Sequence, residues 1–342
     1  MNEPEPLLLA AARGRNRGRP PVWIMRQAGR YLKEYRDLRA RYPFKTLCED
    51  PALAEEVSLL PERILGVDAV IVFYDILLPV EQMGAPLRFT DEGPVFLSPV
   101  ATIDQVEGLR PLDLSNQAPT VLETIARIKR RLGRDKPVLG FGGAPFTLAA
   151  YLIEGELGKS GEGIRRAIHR DPKMVRLLLA RLAESMHLYL KAQIDAGADA
   201  VQLFDTWAGL LGPSEYREFA LPYEKRVLEG LPHTAASILY VNGGDHLLED
   251  MAASGADVVS VDWRGDLTRA RERVGSRIAL QGNLDPAALF APPEEVRKRV
   301  RAMLESRRGD PGYIANLGHG ILPDTPLESA RAMVETVKAF SG

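Results

Sequence analysis

Short apolar runs rich in β-branched residues alternate along this chain with longer segments of helical period. Eight runs are candidate strands: 22–24, 69–73, 138–141, 200–204, 238–241, 258–261, 278–280 and 313–315. In the segments between them apolar residues recur every three to four positions, which predicts helices over 51–65, 120–132, 172–194, 216–228, 246–253, 267–274, 294–304 and 327–340. This alternation is typical of parallel β/α units.

Several of these helices begin with residues that favour a helix start. Asp50, Asp171 and Asp285 each stand directly before a proline, so that an N-cap side chain precedes a first-turn proline. Thr325 and Glu328 have the spacing of a capping box, again with a proline after the threonine.

Eight strands are the number that closes a (β/α)8 barrel, and 342 residues lie within its range once insertions are allowed. A doubly wound open sheet is the competing α/β fold. That fold usually carries a glycine fingerprint after its first strand, and the sequence has none there. We therefore predict one TIM-barrel domain over 1–342, with a short N-terminal lead-in and a hairpin insertion near 87–97.

Composition narrows the classes of function. The chain has 44 basic and 46 acidic residues, a net charge of −2, which argues against a general nucleic-acid binder. Residues 1–41 nevertheless carry ten Arg or Lys against four Asp or Glu. Part of this excess is the alternating series Arg13, Arg15, Arg17 and Arg19, for which a solvated lead-in is the simplest interpretation, since no aromatic residues interleave it.

Cysteine content and hydropathy predict a cytoplasmic protein. Cys48 is the single cysteine, which excludes a disulfide framework and makes a thiolate zinc cage implausible. The apolar run 7–12 is too short to span a membrane, and the arginines follow it rather than precede it as in a signal peptide. We interpret it as a short helix.

Polar residues and glycines collect at the carboxyl end of every predicted strand, which is where barrel enzymes place their active sites. In chain order these ends carry Arg26, 73–75, 142–145 with Tyr151 one or two helical turns on, 204–207, 242–246, 262–263, 281–285 and 316–320. The pattern over all eight strands is stronger than the signal of any single residue.

Three side chains at these ends suggest specific chemistry. Arg26 and Arg30 flank Gly29, and two guanidinium groups with an accessible backbone suit a ligand rich in carboxylates. Asp75 is a lone carboxylate in an apolar run, suited to stabilising a positive charge that forms during a reaction, although an N-cap role is equally compatible. His319 lies between two glycines and is either a hydrogen-bond donor to a ligand or a structural loop residue.

Several of these motifs together resemble the uroporphyrinogen decarboxylase family, over nearly the whole chain. They are MRQAGRY at 25–31, FYDILL at 73–78, GGAPFT at 142–147, QGNLDP at 281–286 and NLGHG at 316–320. The resemblance implies a (β/α)8 barrel, a cytoplasmic homodimer, and no metal or organic cofactor. It also implies a carboxy-lyase that converts the four acetate side chains of uroporphyrinogen III to methyl groups, giving coproporphyrinogen III and four CO2 in haem biosynthesis.

The resemblance further assigns roles to individual positions. Arg26 and Arg30 would hold substrate carboxylates, and Asp75 would face the pyrrole N–H groups; these three are the expected catalytic residues. The remaining expected contacts to substrate are Gln27, Ala28, Gly29, Phe44, Tyr151, Thr206 and His319. Thr206 stands where serine also occurs in the family, and Lys33 replaces a common proline.

Two other functions compete with this one. A corrinoid-linked zinc methyltransferase of the same superfamily would need a His-x-Cys ligand set and a further cysteine, but the chain has only Cys48. A non-catalytic tetrapyrrole-binding protein would use the arginines without needing Asp75.

Overall fold

A curled sheet of parallel strands forms the centre of the protein. In this computed structural model, residues 5–90, 93–114, 119–155 and 161–341 are described. Within them the strands are β1 Val70–Ile71, β2 Leu87–Phe89, β3 Pro94–Phe96, β4 Val138–Gly143, β5 Ala200–Asp205, β6 Ala236–Val241, β7 Val258–Ser260, β8 Ala279–Leu284 and β9 Tyr313–Leu317. The parallel sheet has the order β1-β4-β5-β6-β7-β8-β9, and β2 pairs antiparallel with β3 as a separate hairpin.

The first predicted strand, 22–24, lies between the two edges of this sheet. Val22 forms a single parallel bridge with Ala315 of β9, and the Ala315 amide donates to the Pro21 carbonyl at 2.9 Å. On its other side, the Asp68 amide donates to the Val22 carbonyl at 2.8 Å. The segment thus occupies the eighth position of a TIM-barrel-like sheet. It is too short to count as a strand because Pro20 and Pro21 have no N–H for the ladder.

Helices connect the strands and cover the outside of the sheet. They are α1 Leu7–Ala12, α2 Lys33–Arg41, α3 Phe44–Glu49, α4 Pro51–Leu65, α5 Leu78–Gln82, α6 Ile103–Glu107, α7 Pro119–Leu132, α8 Pro145–Glu154, α9 Glu162–Arg170, α10 Pro172–Asp195, α11 Pro213–Phe219, α12 Leu221–Leu228, α13 Leu248–Ala252, α14 Leu267–Val274, α15 Pro293–Glu305 and α16 Leu327–Lys338. Short 3-10 turns cover Ala208–Leu210, Asp245–Leu247 and Pro286–Phe290. Among the described residues, no helix combines the length and apolar character needed to cross a bilayer.

The aspartate caps predicted from the sequence are present. Asp50 accepts hydrogen bonds from two amides of the first turn of α4, and Asp171 accepts one from the Met174 amide. Asp285 accepts one from the Ala287 amide at 2.8 Å, although the turn it caps is a 3-10 helix. The capping box at Thr325 is wrong. Helix α16 begins at Leu327, as its apolar period predicts, but its N-cap is Pro326, and the buried Thr325 hydroxyl has no hydrogen-bond partner among the described residues.

The helix predicted over 216–228 is also wrong as a single element. It is divided into α11 and α12 at Ala220, whose φ and ψ are −121° and −63°. Pro222 explains the break, because a proline lacks the N–H that a continuous helix would need and its ring crowds the preceding turn. The apolar residues keep the same helical spacing on both sides of Ala220, so the sequence pattern could not reveal the break.

The barrel interior is closed at its amino-terminal end and contains a polar layer. Residues of α1, including the buried Leu8, pack into the interior cluster beneath the strands. Above them Trp23 donates to Gln281 Oε1 at 2.9 Å, and Gln281 Nε2 donates to Gln202 and Ser260, both at 3.0 Å. These bonds pair buried polar groups whose desolvation would otherwise be unfavourable. They also fix strands that lie far apart in sequence.

We predict that Asp68→Ala destabilises the protein by about 2–4 kcal/mol, because a largely buried arginine and a backbone amide would lose their acceptor. Arg19 binds Asp68 through both terminal nitrogens, at 2.7 and 2.8 Å, and the Val22 amide donates to the same carboxylate at 2.8 Å. Urea unfolding measures the change.

The matched control is Asp195→Ala, since Asp195 pairs with Lys191 on an exposed helix surface. Such pairs contribute little, so this variant should unfold at the wild-type midpoint. Equal midpoints for the two variants would contradict the role of Asp68 in closing the barrel.

Candidate active site

Arg26 is held in a left-handed backbone conformation at the carboxyl end of the barrel. Its φ is +61°, which is unfavourable for a residue with a side chain and is typical of functional sites. The neighbouring Gln27 stabilises the turn from inside: its buried side chain accepts from the Ile24 amide and donates to the Ala69 carbonyl, both at 3.0 Å. Gln27 therefore orients Arg26 and does not present its own side chain to the cleft.

The two glycines beside His319 bring distant elements into contact. A Cβ at Gly320 would overlap the Arg26 side chain, and one at Gly318 would overlap the backbone of Trp263. Only glycine permits both approaches. The loop after β9 is thereby packed directly against Arg26 on one side and the loop after β7 on the other.

The charge of Arg26 acts on several of the predicted site residues. It lowers the pKa values of Asp75, Tyr151 and His319 relative to what burial alone would give. Since the effect of a charge falls with distance, the guanidinium lies close to all three. The structure thus brings Arg26, Asp75, Tyr151 and His319 together around one cleft.

Asp75 is the acid of this cleft. Desolvation raises its pKa from 3.8 to about 6, while the Leu77 amide, which donates to Oδ1 at 2.8 Å, and the charge of Arg26 oppose the shift. The carboxylate is therefore mostly ionised at neutral pH in spite of its surroundings. Its bond to Leu77 is the local capping turn that the sequence left open, and stabilisation of a positive charge by Asp75 stays a prediction.

His319 is a neutral hydrogen-bond donor in this cleft. Burial, followed by the charge of Arg26, lowers its pKa to about 4. The Gly320 amide donates to Nδ1 at 2.6 Å, so the proton of the neutral ring resides on Nε2. The half-buried ring can therefore donate one hydrogen bond from Nε2 and carries no charge at neutral pH.

An aromatic floor connects the strand ends. Phe141 of β4 contacts Phe204 of β5 edge to face with ring centroids 5.7 Å apart, and Phe204 contacts Tyr240 of β6 at 6.0 Å. Tyr240 and Trp263 then pack on the ring of His319 at 6.0 and 5.8 Å. This floor gives the cleft an apolar base against which a macrocycle can lie.

The walls are formed by residues on either side of the floor. Phe44 packs on Phe73 and on Phe89 of the β2–β3 hairpin, with ring centroids 5.7 and 5.1 Å apart. On the opposite wall Tyr151 contacts Trp207 edge to face at 6.2 Å. Phe44 and Tyr151 are both half-buried, so part of each remains available to a ligand.

Thr206 is held between two fixed neighbours. The Thr147 hydroxyl donates to Asp205 at 2.6 Å and accepts from the Trp207 amide at 3.0 Å. Because the backbone is fixed on both sides, the half-buried Thr206 keeps a defined backbone position at the end of β5.

Arg30 lies farther from Asp75 than Arg26 does. Its side chain is exposed, its carbonyl accepts from Arg36 at 2.7 Å, and its charge acts on Tyr35 rather than on Asp75. Between the two arginines, the amides of Ala28 and Gly29 donate to no other group in the described part of the chain. This stretch therefore offers two guanidinium groups and two amides at the rim of the cleft.

Comparisons with known proteins show which family the chain belongs to. The family model described as Uroporphyrinogen decarboxylase (URO-D) matches residues 3–340. The chain belongs to the uroporphyrinogen decarboxylase family. It is 47% identical over 335 residues to the uroporphyrinogen decarboxylase of Carboxydothermus hydrogenoformans, covering 97% of this chain and 96% of that one. It is also 47% identical to the uroporphyrinogen decarboxylase of Gloeobacter violaceus, covering 98% and 97%.

A solved structure shares the fold of this family member. A methyltransferase from Methanosarcina mazei superimposes with a TM-score of 0.77 at 24% sequence identity, covering 97% of each chain. At this identity the match concerns the fold, and it confirms the TIM-barrel-like class predicted from the strand count. Among the described residues of the present chain, no group of three or more His, Cys, Asp or Glu side chains is arranged to hold a metal ion.

We predict that Asp75→Asn stabilises the protein at pH 8 but not at pH 4. The pKa of about 6 in the folded state lies above the ordinary 3.8, so ionisation of Asp75 is unfavourable for folding. This destabilisation is complete above about pH 6 and disappears below about pH 4. Melting temperatures of both proteins across this range measure the difference.

Asp285→Asn is the matched control, because Asp285 is exposed and also accepts a hydrogen bond from the amide two residues on, at 2.8 Å. If Asp75→Asn raised the melting temperature equally at pH 4 and pH 8, ionisation of Asp75 would not be the cause of the stabilisation.

Proposed function

We propose that this protein is a uroporphyrinogen decarboxylase that removes the carboxyl groups of the four acetate side chains of uroporphyrinogen III without a cofactor. The products are coproporphyrinogen III and four CO2. The observation that carries the proposal is an ionised Asp75 in an apolar cleft beside Arg26, in a chain 47% identical to two uroporphyrinogen decarboxylases. A polycarboxylate that becomes cationic during its reaction needs both kinds of group.

Arg26 and Arg30 bind side-chain carboxylates of the substrate in this proposal. Each guanidinium can form two parallel hydrogen bonds with a carboxylate. The amides of Ala28 and Gly29 add donors between them, and Gln27 contributes through the backbone it holds in place. Phe44, Tyr151 and Thr206 line the remaining walls.

Asp75 stabilises the charge that develops on the ring. A proton adds to the ring carbon next to the one that bears the acetate, and the electron pair of a pyrrole double bond forms the new C–H bond, leaving a cationic ring whose charge is shared by the acetate-bearing carbon and the nitrogen. When the C–CO2 bond breaks, its electron pair forms an exocyclic double bond to the acetate-bearing carbon and neutralises the ring. A second proton converts the exocyclic methylene to the methyl group, and loss of the first proton restores the pyrrole. The pyrrole is therefore its own electron sink, and an ionised Asp75 near the pyrrole N–H groups stabilises the cation.

The pKa values limit which group can deliver the proton. His319 has a pKa of about 4, so it is not an imidazolium acid at neutral pH, and its Nε2–H donates a hydrogen bond to the substrate instead. An arginine is a poor acid because its pKa in water is above about 12. A bound water molecule or a carboxylic acid of the substrate is the better donor.

Two further properties belong to the same proposal. By family resemblance we propose a single-domain homodimer that acts in the cytoplasm. Sedimentation of the purified protein tests the dimer, and a mass of one chain would contradict it.

We predict that anaerobic incubation with uroporphyrinogen III yields coproporphyrinogen III, detected by chromatography after oxidation to porphyrins. Asp75→Asn should lower kcat by at least about 100-fold, because the ring cation loses its counter-charge, while substrate binding changes little. Wild-type protein without turnover would refute the proposed function. Equal losses in binding and turnover would favour a tetrapyrrole-binding protein, and bound zinc with methyl transfer would favour the methyltransferase.

We predict that Arg30→Leu raises KM by about tenfold with little change in kcat, since it removes a charged hydrogen bond from substrate capture rather than from the reacting ring. Steady-state kinetics at low ionic strength measure both constants. Arg17→Leu is the control, because Arg17 is exposed at the amino-terminal end of the barrel, away from the cleft. The preceding residue, Asn16, donates its backbone amide to the carbonyl of Pro311, which lies just before β9. An unchanged KM for Arg30→Leu would contradict the role of Arg30.

A further inference from the structure

A third arginine lies on the far side of His319 from Arg26. Arg264 follows β7 by four residues, and its guanidinium carbon lies 3.8 Å from the centroid of the Trp263 ring. The same indole also packs on the ring of His319, with ring centroids 5.8 Å apart. A stacked guanidinium is therefore attached directly to the aromatic floor of the cleft.

Within the described part of the chain, one nitrogen of this guanidinium donates to protein acceptors. Arg264 Nη1 donates to Asp262 at 2.6 Å and to Asn242 at 3.3 Å. Among the described residues, no acceptor is bonded to Nε or Nη2, and 52% of the side chain is exposed. Stacking on Trp263 fixes the plane of the group, so three N–H donors face outward in a preorganised arrangement.

A purely structural role for Arg264 explains part of this arrangement. Asp262 is 1% exposed, and Arg264 neutralises it. However, the same carboxylate also accepts from the Gly243 and Arg264 amides, so it retains hydrogen bonds without the guanidinium. Neutralising Asp262 requires neither the stacking on Trp263 nor the open edge of the guanidinium.

Arg264 and Arg26 act on the same central residues. Both charges add to the lowering of the His319 pKa by burial, and both oppose the rise that burial gives the pKa of Tyr240. The two guanidinium groups are therefore near these rings from different sides, since Arg26 packs on Gly320 whereas Arg264 lies over Trp263. A macrocycle resting on the aromatic floor would carry carboxylates toward both.

We propose, building on the proposed function, that Arg264 binds a side-chain carboxylate of the tetrapyrrole at the edge of the cleft opposite Arg26. It is a specificity residue that selects a substrate with carboxylates on both sides of the ring. The bond uses the Nε–Nη2 edge of the guanidinium, while Nη1 stays with Asp262. Lysine could replace the charge but not this two-donor edge.

The test compares Arg264→Gln and Arg264→Lys with wild-type protein in anaerobic turnover of uroporphyrinogen III. Arg264→Gln should raise KM by about tenfold with kcat within about twofold of wild type. Arg264→Lys should give an intermediate KM. The ratio of each variant's KM to the wild-type KM should fall as salt is added, because salt screens the attraction between the wild-type arginine and the substrate carboxylate. Arg269→Gln is the control, because Arg269 is exposed on the neighbouring helix α14 and should leave both constants unchanged.

The KM of Arg264→Gln, compared with that of Arg269→Gln, decides whether Arg264 binds substrate or only neutralises Asp262. A KM for Arg264→Gln equal to that of Arg269→Gln would overturn the proposal, as would a fall in kcat and melting temperature at constant KM, which would show that Arg264 only neutralises Asp262. If Arg264→Gln does not fold, Arg264→Lys decides alone: a KM at least about threefold higher supports the proposal, and a wild-type KM overturns it. Wild-type protein without turnover would instead refute the proposed function.

Discussion

The hydrogen bonds that hold the segment before Arg26 between β9 and β1 are the constraint on which the rest of the site depends. This segment bridges Ala315 on one side and is bonded to Asp68 on the other. It completes the ring of strands and ends in the turn that contains Arg26. Closure of the barrel and the positioning of Arg26 therefore depend on the same hydrogen bonds, and a change that loosens the segment should affect both stability and the proposed binding of substrate.

The ionised Asp75 lowers the stability of the folded protein, and the proposed reaction can make use of this poorly solvated charge. The shift of the Asp75 pKa from 3.8 to about 6 corresponds to roughly 3 kcal/mol of lost stability at neutral pH, at about 1.36 kcal/mol per pKa unit. A protein selected only for stability would replace this carboxylate with an amide. Retaining it is reasonable where a cation forms beside it, because the cation supplies the interaction that solvent no longer provides.

The sequence predicted the parts of this structure that depend on local patterns. Strand and helix alternation gave the barrel class, and aspartates before prolines gave three helix starts. The division at Ala220 was missed because periodicity does not register a proline that interrupts a helix, and the capping box at Thr325 was wrong because Pro326 is the N-cap of α16. Family motifs named Arg26, Asp75 and His319, and the structure places these three around one cleft.

Other features of the site could not be predicted from local sequence because tertiary contacts create them. Gln27 looked like part of a substrate-binding loop, yet its side chain is buried in bonds to Ile24 and Ala69. Arg264 was not singled out from the sequence, because only the fold places it on Trp263. Its position also explains why a histidine is suitable at the centre of the floor. Burial and the two flanking cations keep His319 neutral, so the cleft has positive edges that attract carboxylates and an anion, Asp75, that can stabilise a cation within the ring.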